Sequence, residues 1–128
     1  MNFTEAANAI EKHFESNWTE TSVHYPNSKF KLVKEFVRLT TLFGESAQIS
    51  LGSSPDTRNP GVVIFSIFVE PGKGLKRAMS LADSIKSIFD KQDILGLRFK
   101  TVRVAILGET ESYYQVNVSC PFYFDTQS

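Results

Sequence analysis

The sequence predicts an α+β fold, with an antiparallel or mixed β-sheet of about four strands and two α-helices packed on it, in the order α-β-β-α-β-β. Apolar residues recur at three- and four-residue spacing in two segments, which is typical of amphipathic helices. In other segments they alternate with a period of two, which is typical of half-buried strands. Because each element has one apolar side, both helices are expected to cover the sheet.

The first helix is predicted from apolar residues that share one side of a helical turn. Asn2, followed by Glu5 three residues later, resembles a capping box and places the helix start. The apolar positions are Phe3, Ala6, Ala7, Ile10, Phe14 and Trp18. Residues 17–26 are then expected to form an extended connection.

The next segments predict a long hairpin. Period-two alternation indicates one strand from Glu35 to Leu51 with a bulge or kink near Gly44. Gly52–Gly61 is interpreted as loop in every residue because it is rich in Gly, Pro, Ser and Asn. Val62–Val69 is apolar on both faces, so it is expected to be an interior strand covered on both sides.

The second half of the chain repeats the helix-then-hairpin pattern. After a turn at residues 70–74, a helix is predicted to extend to about Lys91. Phe99–Leu107 and a final strand from Tyr114 to Phe124 flank a turn at residues 108–112. There is no internal repeat, linker or low-complexity tract, so residues 1–128 are expected to form one domain.

The composition excludes several classes of protein. The chain has 128 residues, 41% of them hydrophobic, and its 14 basic and 14 acidic side chains cancel. A neutral chain is a poor candidate for sequence-specific DNA binding or for attraction to an anionic membrane. No apolar run reaches the length of a signal peptide or a membrane span. A soluble protein of the cytoplasm is expected, and the single Cys120 agrees with a reducing compartment.

No residue pattern predicts catalysis, a cofactor or a metal. Gly72-Lys73-Gly74 lacks the spacing of a phosphate-binding loop and is interpreted as a tight turn. Cys120 alternates in phase with Val118 and is expected to be buried and inert. His13 and His24 have no cysteine or paired acids to complete a zinc site.

The predicted loop Gly52–Gly61 is the candidate site for a partner. Long loops within hairpins are often functional, and this one carries the polar residues Asp56, Arg58 and Asn59. A mobile, solvated loop explains the same composition equally well.

In its order of elements, the sequence resembles the tail terminator-like proteins of long-tailed bacteriophages, also called tail completion or minor tail proteins. The resemblance covers nearly the whole chain. Its carriers are the strand at residues 36–40, the polar segment with Arg58 before Gly61, the strand at residues 63–69, the Pro71–Gly74 turn with its helix, and the closing strand at residues 113–122.

The resemblance implies a structural, non-enzymatic virion protein with no catalytic residues, assembled in the host cytoplasm. It implies a homo-hexameric ring that caps the tail tube, ends tail polymerisation and offers a surface to the head–tail connector. A domain of this length has a diameter of ~36 Å. Six touching subunits would therefore leave a lumen about one subunit wide, through which DNA passes without specific binding.

Two other functions stay open at this point. One is a monomeric adaptor or assembly chaperone that binds a peptide along a sheet edge, which an exposed hydrophobic edge without a ring would favour. The other is a small-molecule enzyme, which would require a deep polar pocket. The eleven phenylalanines are more large rings than a small domain is expected to bury, so some are expected to face a partner.

Overall fold

The computed structural model describes residues 1–25, 34–49, 56–72, 74–110 and 112–127. Within these ranges the chain forms two helices and eight strands. The helices are α1 (Phe3–Asn17) and α2 (Gly74–Phe89). The strands are β1 (Ser22–His24), β2 (Phe36–Phe43), β3 (Ala47–Gln48), β4 (Asp56–Val69), β5 (Asp93–Ile94), β6 (Leu97–Phe99), β7 (Arg103–Glu109) and β8 (Tyr114–Gln127).

The predicted sheet of about four strands in the order α-β-β-α-β-β is wrong. The described strands form one eight-stranded mixed sheet in the order β1-β2-β4-β8-β6-β5, with β3 also paired to β4 and β7 to β8. Only the β1–β2 pair is parallel. The extra strands β1, β3, β5 and β6 are two or three residues long. Such strands are too short to show an alternation of apolar and polar residues.

The centre of the sheet is the antiparallel pair β4–β8, which stays in register over fourteen residues from Asp56↔Gln127 to Val69↔Tyr114. The prediction of an interior strand at residues 62–69 is confirmed, since β4 lies between β2 and β8. The expectation that it is covered on both sides is confirmed only in part, because Ser66 on the face away from the helices is buried but its neighbours on that face are not. Phe65 contacts Phe14 of α1 and Phe89 of α2, so both helices cover the same face, while Val62 and Ile64 on the opposite face are only half-buried.

The interpretation of residues 52–61 as loop is wrong for Asp56–Gly61, which belong to β4; residues 52–55 lie outside the described part. Gly61 is not a turn residue. A Cβ atom at this position would lie 2.5 Å from the Phe122 ring and 2.8 Å from the Leu42 carbonyl oxygen. The glycine is therefore required by the close approach of a ring and a neighbouring strand.

Both predicted helices are confirmed. The Asn2 side-chain oxygen accepts a hydrogen bond from the Glu5 backbone amide, and the Asn2 backbone amide donates to the Glu5 carboxylate. Together these two bonds complete the capping box. Gly72, just before α2, and Gly74, its first residue, have φ values of 93° and 56°, as a tight turn requires. Beneath the helices, Phe14, Phe65, Phe89, Phe99 and Phe122 form a continuous aromatic core.

Candidate assembly interface

The three residues predicted to form a partner loop lie instead at the start of β4, where they alternate between the two faces of the sheet. Arg58 points away from the helices. Its Nε and Nη2 donate to the two carboxylate oxygens of Asp125 on β8 at 2.9 and 3.0 Å, and its guanidinium lies 4.1 Å from the centre of the Tyr123 ring. The hydrogen bond from Arg58 lowers the pKa of Asp125.

Asn59 is buried and acts within the fold. Its amide nitrogen donates to the Phe124 carbonyl and to Thr126 Oγ1, both at 3.2 Å, and its oxygen accepts from Ser46 Oγ at 2.6 Å. These bonds join β4 to β8 and to the segment after β2. Asp56 is half-buried, and its carbonyl accepts from the Ile49 amide. Of the three residues, Arg58 has the side chain that a partner could contact, since it is 41% exposed. Its part in assembly stays a prediction.

Around Tyr123 the surface is of mixed charge. Lys100 Nζ lies 5.5 Å from the centre of the ring, and a hydrogen bond to Tyr123 raises the pKa of Arg98. Asp93 Oδ2 lies 3.8 Å from Arg98 Nε, and the Asp125 carboxylate neutralises the charge of Arg58. Since each cation but one has a nearby carboxylate, this region lacks the clustered free cations that grip a phosphate backbone.

A run of exposed apolar side chains lies on β7. We call Arg103–Leu107 the β7 edge. Strand β8 pairs with it on one side, and no strand in the described part of the chain covers the other. Val104, Ile106 and Leu107 are 40%, 54% and 57% exposed. Natural sheets protect such edges with charges, prolines or bulges; here a bulge between Ile106 and Gly108 ends the regular ladder, but the residues before it are apolar.

A second exposed edge lies at the other side of the sheet. Strand β1 pairs only with residues 36–38 of β2, so Leu39–Phe43, which we call the β2 edge, has no neighbour there among the described residues. Leu42 is 51% and Phe43 38% exposed. The Phe43 ring packs edge-on against Phe3 at 4.8 Å, and Phe3 is itself 46% exposed.

Surplus phenylalanines were expected at a partner surface, but most of the phenylalanine rings in the described ranges are buried. Among the described residues, the exposed apolar side chains that follow one another on a single strand are the aliphatic ones of the β7 edge. A signal was present: Val104, Ala105, Ile106 and Leu107 are four consecutive apolar residues, whereas the predicted alternation placed Val102, Val104 and Ile106 on one apolar face. On an edge strand, such a run leaves apolar side chains on both faces.

The side chains that could take part in catalysis or metal binding, Cys120 and His13, make packing contacts within the fold. Cys120 is fully buried as predicted, and burial, aided by the charge of Asp90, raises the pKa of its thiol to about 12; its inertness stays a prediction. His13 contacts the Ile88 carbonyl at 3.3 Å and the edge of the Phe89 ring. Among the described residues, no three His, Cys, Asp or Glu side chains come together as metal ligands would.

Neither α1 nor α2, the helices of the described ranges, has the length and apolar character needed to cross a membrane.

Comparison with known proteins agrees with a structural role. The sequence model of a family described as "Phage tail terminator protein" matches residues 5–122. No curated protein matches the sequence. One solved protein chain has the same fold with a TM-score of 0.64 and 16% sequence identity, over 94% of this chain and 95% of the other. At that identity the likeness concerns the fold alone.

Proposed function

The chain belongs to the phage tail terminator proteins, a structural family of the virion tail, and from this premise we propose that it forms a closed ring, of six subunits, on the end of the tail tube. The ring ends polymerisation of the tube protein and provides the surface on which the head–tail connector docks. Assembly takes place in the host cytoplasm.

The observation that carries the proposal beyond the family match is the pair of exposed edges. A sheet that ends in apolar residues on two different sides can join a copy of itself through unlike surfaces, with the β7 edge of one subunit against another part of the next. Such a head-to-tail contact either closes into a ring or grows without limit. A protein that stops a polymer has to form the closed version.

The charge distribution supports passage of DNA through the ring without specific binding. The net charge is zero, and Arg58, whose guanidinium lies over the Tyr123 ring, is held by Asp125 through two hydrogen bonds. Affinity for the phosphate backbone grows with the number of phosphates that free cations neutralise. A lumen lined by balanced charges therefore lets DNA slide.

The test is a capping experiment. Purified protein is added to tail tubes that have polymerised without a terminator, and their ends are imaged by electron microscopy while tube length is followed over time. We expect a ring-shaped density on one end of each tube and an arrest of growth. Tubes that keep growing with bare ends at saturating protein would contradict the proposal.

The exposed β7 edge also favours the alternative function, a monomeric adaptor or assembly chaperone that binds an extended peptide along that edge. The two functions differ in the oligomeric state of the protein and in whether it caps the end of the tail tube. A strict monomer in concentrated solution, together with bare tube ends, would favour the adaptor.

A further inference from the structure

We propose that the β7 edge of one subunit pairs, in antiparallel orientation, with the β2 edge of a second copy of this chain, so that the sheet continues from subunit to subunit. The inference rests on the proposed ring and specifies the contact that would close it. Backbone hydrogen bonds would supply the attraction, and the apolar side chains on both edges would be covered together.

The two edges match in length and in what they leave exposed. The regular part of the β7 edge, Arg103–Ile106, offers four residues before the bulge, and the β2 edge, Leu39–Phe43, offers five. On one side, each edge has backbone groups that pair with no strand of the described ranges, with apolar side chains beside them. Neither edge is blunted by a lysine or proline within it, which are common devices against unwanted strand pairing.

The direction of the strands fits a head-to-tail contact. β2 runs antiparallel to β4, β4 to β8, and β8 to β7. Three reversals leave β7 antiparallel to β2 within one subunit. When a neighbouring subunit has the same orientation, as in a ring, its β2 is therefore also antiparallel to the first subunit's β7.

Charges at the ends of the two edges select the same direction. Arg103 begins the β7 edge and Glu109 follows its bulge, while Arg38 precedes the β2 edge and Glu45 follows it. All four side chains are exposed, and none forms an ion pair within the described part of the chain. Antiparallel pairing brings Arg103 towards Glu45, whereas parallel pairing would place Arg103 next to Arg38, a like charge on the same face of the sheet.

The faces of the sheet fix the register. Val104 and Ile106 lie on the helix-covered face, because they pair with the buried Val118 and Val116. On β2, that face carries Thr41 and Phe43, whose partner positions on β4 are Val63 and Gly61. In a continuous sheet, the helix-covered face of one subunit continues that of the next. If Arg103 also lies at the Glu45 end of the β2 edge, Val104 is opposite Phe43 and Ala105 is opposite Leu42.

Cysteine cross-linking tests this register. Directly opposed residues of antiparallel strands have Cα atoms about 4.5–5.5 Å apart, which suits a disulfide. The double variant Leu42→Cys/Ala105→Cys should give a ladder of covalent multimers under mild oxidation, in concentrated solution or on tail tubes. The matched control is Leu42→Cys/Leu95→Cys, since Leu95 is 80% exposed but lies in the turn between β5 and β6. The buried Cys120 contributes no background.

Charge reversal gives a second readout that does not depend on new disulfides. Arg103→Glu should weaken self-association roughly two- to fivefold per contact, the scale of an exposed ion pair. Arg103→Glu/Glu45→Arg restores the opposite charges in every contact and should restore association. If the double variant associates no better than the single one, the antiparallel register is wrong.

The outcomes separate the inference from the proposed function. Capped tubes without a 42–105 ladder would overturn the strand pairing and leave the function standing. A ladder with bare tube ends would support the pairing and overturn the function. Dimers formed by Ala105→Cys alone would mean that two β7 edges pair with each other. Protection of the β7 edge by an added peptide, without any ladder, would assign the edge to a peptide partner.

Discussion

Replacing Gly61 by alanine is expected to destabilise the fold, although the change adds a single methyl group. In the structure, that methyl carbon would lie 2.5 Å from Cζ and 2.9 Å from Cε1 of Phe122, and 2.8 Å from the carbonyl oxygen of Leu42. Carbon atoms in contact prefer about 3.5–4.0 Å. Either the Phe122 ring or the β2 backbone therefore has to move by about an ångström.

Neither neighbour can move freely. Phe122 is 1% exposed and packs against Phe99 at 5.3 Å, and Leu42 is fixed in the ladder opposite Val62. Overpacking of this kind costs about 1–3 kcal/mol. Replacing glycine by alanine also stabilises the fold by about 0.4–1 kcal/mol, because it lowers the conformational entropy of the unfolded chain. We expect a net loss of about 1–2 kcal/mol in the free energy of unfolding.

Urea unfolding followed by circular dichroism measures this loss as a lower transition midpoint. Gly44→Ala is the matched control: its added carbon would meet Pro60 Cγ at 3.4 Å and the Pro60 carbonyl oxygen at 3.7 Å, and should change the stability by less than about 0.5 kcal/mol. Equal midpoints for the two variants would refute the argument that Phe122 and Leu42 exclude a side chain at position 61.

Three further changes test other parts of the structure. Phe89→Ala removes a fully buried ring and should cost about 3–5 kcal/mol in the same urea assay. Native Cys120 should stay unreactive towards a thiol reagent at pH 8 and react only on unfolding, because the pKa of its thiol is raised to about 12; Cys120→Ala should cost about 1 kcal/mol or more and leave capping intact. Arg58→Ala should weaken assembly on tubes, measured by cosedimentation, more than it lowers the urea midpoint. Because Arg58 lowers the pKa of Asp125, their pair stabilises the fold above the unfolded pKa of that carboxyl. This stability is lost as the pH falls through the lower folded pKa, so Asp125→Asn should flatten the acid limb of a stability–pH curve.

The helices could be predicted because their signals are local. The capping box at Asn2 and Glu5 and the apolar spacing of each helix are properties of one segment, and the structure has both helices with nearly the predicted bounds. The same holds for the break after Phe43, where a glycine interrupts the alternation.

The sheet was predicted less well because strand pairing depends on distant residues. Asp56–Gly61 has a turn-like composition, yet it is held as a strand by β8, more than sixty residues away. Pro60 and Gly61 usually mark loops. Here Gly61 is present because Phe122 occupies the space of a side chain, a fact that no local pattern contains.

The candidate site was predicted in a loop but lies in β4, again because strand pairing depends on distant residues. Arg58 was singled out because it was the only basic residue of a supposed loop, and the structure pairs it with Asp125 on β8. The β7 edge was missed because exposure at an edge depends on which strands lie beside it. Periodicity placed Val102, Val104 and Ile106 on one apolar face and could not tell that the helices leave Val104 and Ile106 exposed at the edge of the sheet.

A contact through such short edges is weak for one pair of subunits and strong for a closed ring. The regular β7 ladder ends at a bulge, where Gly108 has a φ of 96°, and β2 ends at Phe43. Two subunits can therefore share only a few backbone hydrogen bonds, each with a modest net contribution of about 0.5–1.5 kcal/mol. The last subunit of a ring makes two contacts at once, and subunits held side by side on a tube end meet at a high effective concentration. Short edges thus favour rings on tubes over rings or aggregates in dilute solution. Lengthening the β7 edge by removing the bulge, for example by deleting Leu107, should then promote association without tubes, which sedimentation at low protein concentration would detect.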